Sequence, residues 1–232
     1  MILSANTLKS LQNFATINPN ILVTKDSNII KTVAEAKNIM AMVETDDTFD
    51  ETFGIFDLNE FLSAVSIIPN PDFTFGSEYV TIKSASSNSS IKYFCANPSI
   101  LTSPTSDIKD PEYEITLELT NGHINSIKKA ASVLGHDRFS FVKEGSNEVY
   151  VQVADVNNKS SNVYREAIGE VNDSSSFQFN FLINNLKILP GDYVVDLSSK
   201  LISRWELVSA GAPKMTYWLA IETTSEYKKE GE

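Results

Sequence analysis

LKSLQNFATINPNILVTKDSNIIKTV, residues Leu8–Val33, opens with apolar residues at helical spacing, breaks at Asn18-Pro19 and continues in alternation. The first part predicts an amphipathic helix and the second a strand–turn–strand. Proline forces the boundary, because it excludes the preceding residue from the α region. The same phrase returns as LNEFLSAVSIIPNPDFTFGSEYVTIK (Leu58–Lys83), INSIKKAASVLGHDRFSFVKEGSNEVYVQV (Ile124–Val153) and LINNLKILPGDYVVDLSSKLISRWEL (Leu182–Leu207). Four copies of one phrase predict duplicated architecture. They also direct the search for function to the helix faces and away from a catalytic pocket.

Working outward, the chain has 232 residues, 42% hydrophobic and 21% charged, enough apolar material for a packed core and too little charge for a disordered chain. The net charge of −11 is the wrong sign for a protein that wraps nucleic acid with its whole surface. It leaves room for a local basic patch, since patches and net charge are separate quantities. The lone Cys95 excludes an intrachain disulfide and favours burial in a reducing compartment. MILSANTLKSLQNF has no basic start followed by a long apolar run, so no signal peptide is expected. No stretch approaches about 18 uninterrupted apolar residues, so no membrane span is expected.

A connector rich in Pro, Ser, Thr and Asp, Asn97–Pro111, separates the second repeat from the third. It divides the chain into two domains, 1–105 and 106–232, each of ordinary domain size. Short runs rich in β-branched and aromatic residues predict strands at Ile21–Thr24, Ile29–Val33, Ile39–Val43, Tyr79–Lys83, Ile91–Ala96, Ile115–Leu119, Phe139–Lys143, Val149–Val153, Tyr193–Leu197 and Tyr217–Glu222. The charged tail Ser225–Glu232 reads as frayed. The fold class expected is α+β, two helices per domain packed on antiparallel sheets.

In the first helix Leu8, Leu11, Phe14 and Ala15 form the apolar stripe, opposite Lys9, Gln12, Asn13 and Thr16. In the second, Leu58, Phe61, Leu62 and Val65 point inward, opposite Asn59, Ser63 and Ser66, with Asp57 and Glu60 at capping-box spacing. In the third, Ile124, Ile127, Ala131 and Leu134 oppose Asn125, Lys128, Lys129 and Ser132. In the fourth, Leu182, Leu186 and Leu189 pack while Asn184 and Lys187 share the other face. The outer faces therefore hold Lys, Asn, Gln, Ser and Thr. Their only nearby acids, Asp57 and Glu60, sit at a helix N-terminus, where the dipole accounts for them. A chain that gathers positive charge on helices and carries its acidic excess elsewhere is electrically two-sided.

Catalytic and cofactor signals are missing. With one Cys and two His there is no zinc cluster, and no phosphate-binding Gly-rich loop or nucleophile elbow occurs. The acidic run Glu44–Glu51 lacks the glycine and spacing of a calcium loop and reads as a solvated connection. His123 reads as a helix-start residue, and Cys95 as a structural one. Nothing proposes an enzyme, a cofactor or a metal.

NFATIN (Asn13–Asn18), IFDLNEFLSAVSII (Ile55–Ile68), FQFNFLINNLKILPGDYVV (Phe177–Val195) and YWLAIE (Tyr217–Glu222) together resemble the DNA polymerase sliding clamps of T-even-type bacteriophages, relatives of proliferating cell nuclear antigen. The resemblance is collinear to about Glu222 and weakest in the connector and in Asn157–Ser176. It implies a head-to-tail homotrimer whose six domains close a pseudo-sixfold ring. Twelve helices would line a hole that holds duplex DNA. It implies a tether for the replicative polymerase, loading by an ATP-dependent clamp loader, contact with late-transcription sigma and coactivator proteins, and a place in the cytoplasm of the infected bacterial host. On this reading Lys9, Gln12, Asn13, Asn59, Ser63, Asn125, Lys128, Lys129, Asn184 and Lys187 face DNA.

The resemblance further implies a partner-peptide groove at Ile100, Leu101, Trp218, Leu219 and Ala220. Strand alternation leaves either Trp218 or Tyr217 facing inward. It also implies a subunit interface between Ile91–Ala96 of one copy, with Ile91, Tyr93 and Phe94, and Asn162–Ile168 of the next, with Val163, Tyr164 and Ile168. The competing expectation is a non-catalytic structural or ligand-binding β-rich viral protein whose helices merely cover sheets.

Overall fold

The computed structural model describes all residues except Thr105, Asp107, Val156, Asn157, Lys159 and 230–232. Parts of the expected connector and tail thus lie outside the described residues. The chain forms two compact units, Met1–Asp107 with Gly211–Thr216, and Ile108–Ala210 with Tyr217–Glu232.

In the first unit α1 (Ala5–Ile17) starts where the Ser4 side chain accepts the Thr7 N–H at 3.1 Å. It ends at Asn18, directly before Pro19. Leu11 and Phe14 are buried as the spacing predicts, Leu8 and Ala15 are half-buried, and Ile17, outside the expected stripe, is buried as well. Thr7 and Ser10 are buried too, the Ser10 hydroxyl donating to the Asn6 carbonyl at 2.8 Å. Two strand pairs follow, all antiparallel: β1 (Ile21–Val23) with β4 (Phe53–Ile55), and β2 (Ile29–Val33) with β3 (Ile39–Glu44). α2 (Leu58–Ile67) is capped by Asp57, whose side chain accepts the Glu60 N–H at 3.0 Å. The Glu60 carboxylate instead accepts from Tyr93, so only one half of the expected box carries a cap. A meander of β5 (Pro71–Phe75), β6 (Tyr79–Ser84) and β7 (Ser90–Phe94) completes the unit. Phe49, Phe53, Phe73 and Phe75 interlock at ring separations of 4.6–5.6 Å and hold these layers together.

In the second unit β8 (Ile115–Leu119) leads into α3 (Asn121–Leu134). Thr120 and His123 form a complete capping box, and Gly135 at φ 70° closes the helix in the left-handed conformation. His123 is thus the helix-start residue the sequence indicates. Then come β9 (Arg138–Lys143), β10 (Glu148–Val153), β11 (Tyr164–Glu170) and β12 (Ser175–Leu182). They are followed by β13 (Tyr193–Ser198), β14 (Ile202–Leu207), β15 (Lys214–Ala220), of which only Tyr217–Ala220 belongs to this unit, and β16 (Glu226–Lys229). One sheet runs β11-β10-β9-β12-β16, and β13 pairs with both β8 and β14. Phe139, Phe141, Phe181 and Trp205 fill the centre.

Three expectations are corrected. The fourth helix is absent: Ile183–Asn185 forms only a three-residue 3-10 turn with no side-chain cap. The reason is local. β12 runs to Leu182, Pro190 bars Leu189 from the α region, and the short stretch between carries two asparagines of poor helix propensity. The second unit therefore has one α-helix among the described residues, and the α+β class with antiparallel sheets stands. The tail Glu226–Lys229 is paired to β12, with Tyr227 stacked against Phe179, so this part is a strand and not frayed. Cys95 lies just past β7 and is only half-buried, its thiol donating to the Gly76 carbonyl at 3.5 Å.

Candidate nucleic-acid interface

The 3.6-residue period brings Lys9, Gln12 and Thr16 of α1 to solvent on one face, with Asn13 half-buried beside them. On α2, Asn59, Ser63 and Ser66 are exposed, but their hydroxyls are partly committed. Ser63 donates to the Asn59 carbonyl and Ser66 to the Ser63 carbonyl, each at 2.7 Å. On α3, Asn125, Lys129 and Ser132 are exposed. Lys128 is half-buried, and burial pushes its ammonium pKa below the ordinary lysine value. Asn184 and Lys187 are exposed although their helix is missing, while Leu186 and Leu189 are buried and Leu182 is half-buried. The outward placement of this segment thus survives the loss of its expected backbone.

Lys9, Lys128 and Lys129 make no ion pair with a described residue. An unpaired lysine on a helix face can attract a phosphate without offering a fixed set of partners to base edges. Among the described residues no cluster of His, Cys, Asp and Glu could hold a metal ion. No described helix is long and apolar enough to cross a membrane.

Both strands expected at the subunit interface lie at sheet edges. β7 ends the meander of the first unit, and β11 ends the five-stranded sheet of the second. Ile91 and Tyr93 are half-buried on the side of α2, where Tyr93 packs on Phe61 at 5.2 Å. The Tyr93 hydroxyl donates to the Glu60 carboxylate at 3.1 Å and reaches the Asp57 carbonyl at 3.2 Å. Burial and the Glu60 acceptor raise the Tyr93 phenol pKa well above its ordinary value. Phe94 is 68% exposed on the opposite face of β7. On the other edge Val163 is exposed, and Tyr164 and Ile168 are half-buried. Val163 and Tyr164 meet Val133 and Lys129 of α3 along a largely apolar groove of about 450 Å³.

The expected partner-peptide residues fall in different environments. Ile100 is exposed in a short 3-10 turn, Pro98–Ile100. Leu101 is half-buried over β4, so close that a Cβ on Gly54 would meet its Cδ1 at 2.4 Å. Leu219 is fully buried and Ala220 half-buried. Alternation failed at Tyr217 and Trp218, because both are buried. The Trp218 indole donates to Asp110 at 2.8 Å, and that carboxylate also accepts from Tyr113 and Arg204. Sequence reasoning missed Gly54 and Asp110, since nothing local marks a glycine or an aspartate whose partners lie far along the chain.

The chain is 26% identical over 226 residues to the sliding clamp of Vibrio phage KVP40, covering 96% of this chain and 99% of that one. It is 29% identical over 203 residues to the sliding clamp of Enterobacteria phage T4, covering 86% and 88%. The sliding clamp of Escherichia phage RB69 matches at 26% over 230 residues, covering 97% and 98%. Along nearly its whole length the chain is thus similar to phage sliding clamps. No family model matches it. Solved structures support the clamp fold at much lower identity. Proliferating cell nuclear antigen of Entamoeba histolytica superposes with a TM-score of 0.66 at 14% identity, covering 94% of this chain and 95% of that one. The antigen of Thermococcus kodakaraensis gives 0.67 at 9%, covering 93% and 96%.

Proposed function

We propose that the protein is a non-catalytic ring that encircles duplex DNA and keeps the replicative DNA polymerase on its template. Three copies join head to tail, the strand edge of β7 meeting β11 of the next, a heterologous contact that closes by rotation. The helix faces then line the hole. Lys9, Lys128, Lys129 and Lys187 supply diffuse positive potential, and the neighbouring amides and hydroxyls of Gln12, Asn13, Asn59, Ser63, Asn125 and Asn184 take water-mediated contacts. Few lysines suit a sliding protein, because many direct phosphate contacts bind tightly and in a salt-sensitive way. Processivity follows from topology: a polymerase held on a closed ring stays at high effective concentration at the primer end.

The observation that carries the DNA assignment is the charge of the helix faces: α1 and α3 present lysines and amides, and no acid, in a chain of net charge −11. The ring is opened on DNA by an ATP-dependent loader. Partner peptides dock at the connector around Ile100 and Leu101 and near Trp218, Leu219 and Ala220. Late-transcription proteins use the same ring, in the cytoplasm of the infected bacterial host. The test replaces Lys9, Lys128 and Lys129 together with glutamate. Native mass should stay at three subunits while loading and processive synthesis are lost. A variant that retains full processivity would remove these faces from the DNA path. Leu101→Ala should weaken polymerase-peptide binding at unchanged native mass, and unchanged affinity would remove Leu101 from the docking surface.

A further inference from the structure

The edges of β7 and β11 carry enough geometry to select a register. Between β6 and β7, Val80 lies opposite Tyr93 and Ile82 opposite Ile91. Cys95 N donates to the Glu78 carbonyl at 2.9 Å, and Ser84 N to the Ser89 carbonyl at 3.0 Å. Antiparallel ladders alternate, so the backbone groups of Ile91, Tyr93 and Cys95 turn toward β6. Those of Ser90, Lys92 and Phe94 turn outward. Ala96 N is already taken by the Gly54 carbonyl at 2.8 Å, which ends the open edge at Phe94.

On the other edge Val171 N donates to the Asn147 carbonyl, and the β10–β11 register shifts at Val149/Tyr150. Past that bulge the alternation turns the backbone groups of Arg165 and Ala167 outward. Side-chain placement gives the same phase independently. Lys92, Phe94, Arg165 and Ala167 are exposed, whereas Ile91, Tyr93, Tyr164, Glu166 and Ile168 are half-buried. A continuous sheet keeps its covered faces on one side, so Lys92 and Phe94 must pair with Arg165, Ala167 or their in-phase neighbours.

We propose one register for the contact of β7 with β11 of the next copy of this chain: antiparallel, with Lys92 opposite Ala167 and Phe94 opposite Arg165. The proposal rests on the ring reading above and adds its register. The alternative with Lys92 opposite Arg165 sets two cations face to face, which destabilises a cross-strand pair. It also sets Ile91 opposite Glu166. A slip in the other direction sets Ile91 opposite Glu170 and leaves Ser90 without a partner in β11. The selected register sets Ile91 opposite Ile168. It brings the exposed Phe94 ring to a guanidinium that already lies over Tyr150 at 4.0 Å, while Lys92 keeps its place over Tyr79 at 3.7 Å.

Disulfide trapping reads this register directly. Cys95 is the only cysteine, so a Cys95→Ser parent gives a clean background. Directly opposite residues of an outward, hydrogen-bonded pair have Cα atoms about 5.5 Å apart, within disulfide reach, and a slip of two residues takes them beyond about 8 Å. Lys92→Cys with Ala167→Cys should therefore oxidise to covalent dimers and trimers on denaturing, non-reducing gels. Lys92→Cys with Arg165→Cys should do so at least about tenfold more slowly. All three changes fall at exposed positions, and native mass under reducing conditions checks assembly. A trimeric variant pair that links through residue 165 as fast as through 167, or through neither, overturns the register and leaves the ring standing. A monomeric Cys95→Ser parent overturns the ring reading and the register with it.

Discussion

α2 and the turn Ile183–Asn185 occupy matching places in the two halves of the sequence repeat, each between a strand that ends and a strand that begins. Both bury an apolar set: Leu58, Phe61 and Val65 in one, Leu186, Ile188 and Leu189 in the other. Only the first is a helix. Asp57 caps α2, and ten residues follow before the helix stops. Leu182 offers no capping side chain, and Pro190 arrives too soon for a second turn. The difference separates two kinds of information. Apolar spacing says which side chains go inside, whereas caps and breakers decide how the backbone delivers them.

That equivalence can be broken most directly in the core. Leu58→Ala and Leu186→Ala should each lower the unfolding free energy by about 2–5 kcal/mol, whatever the backbone that carries them. Urea unfolding measures both. A Leu186→Ala cost below about 1 kcal/mol would show that the turn does not anchor the second unit as α2 anchors the first. The cap gives a smaller effect. Asp57→Ala should cost about 1 kcal/mol by removing the acceptor for the Glu60 N–H. Leu182→Asp offers the turn a comparable cap but should add no helix to the far-ultraviolet circular dichroism, because Pro190 remains. A gain of helical signal would show that the missing cap alone had prevented the helix.

The smallest effect concerns charge. α2 has no lysine on its outer face, whereas the turn is followed by the exposed Lys187. Lys187→Ala should reduce the log–log salt slope of DNA retention by up to about one, the value for one phosphate contact. Asn59→Ala should leave the slope unchanged. Equal slopes for the two variants would erase the proposed difference between a charged and a merely polar lining.

Elements with strong local signals were legible. β2 and β8 have the bounds their β-branched runs predict, and α1 and α3 end at the Asn-Pro and the glycine that mark them. β4 has only three residues, β5 begins with a proline, and β14 spreads Arg204 and Glu206 through an apolar run, so none stood out. The exposure of Lys9 and Lys129 follows from helical period alone. The half-burial of Lys128 does not, since it depends on what packs around the helix edge. Trp218 was ambiguous for a similar reason. A strand covered on both faces buries neighbours that alternation would separate, and the Asp110 partner of Trp218 lies far away in sequence.

The last strand has a practical side. Glu226–Lys229 is hydrogen-bonded along Ser175–Gln178, so this segment is stitched to a sheet rim. Any purification handle, fluorophore or surface tether attached after Lys229 is consequently hung from a load-sharing strand. Trimming the chain ahead of Glu226 would uncover the rim of β12 to intermolecular association. A tether placed beyond Lys229 would instead pull in line with the sheet, giving single-molecule work on the chain a mechanically defined point of attachment.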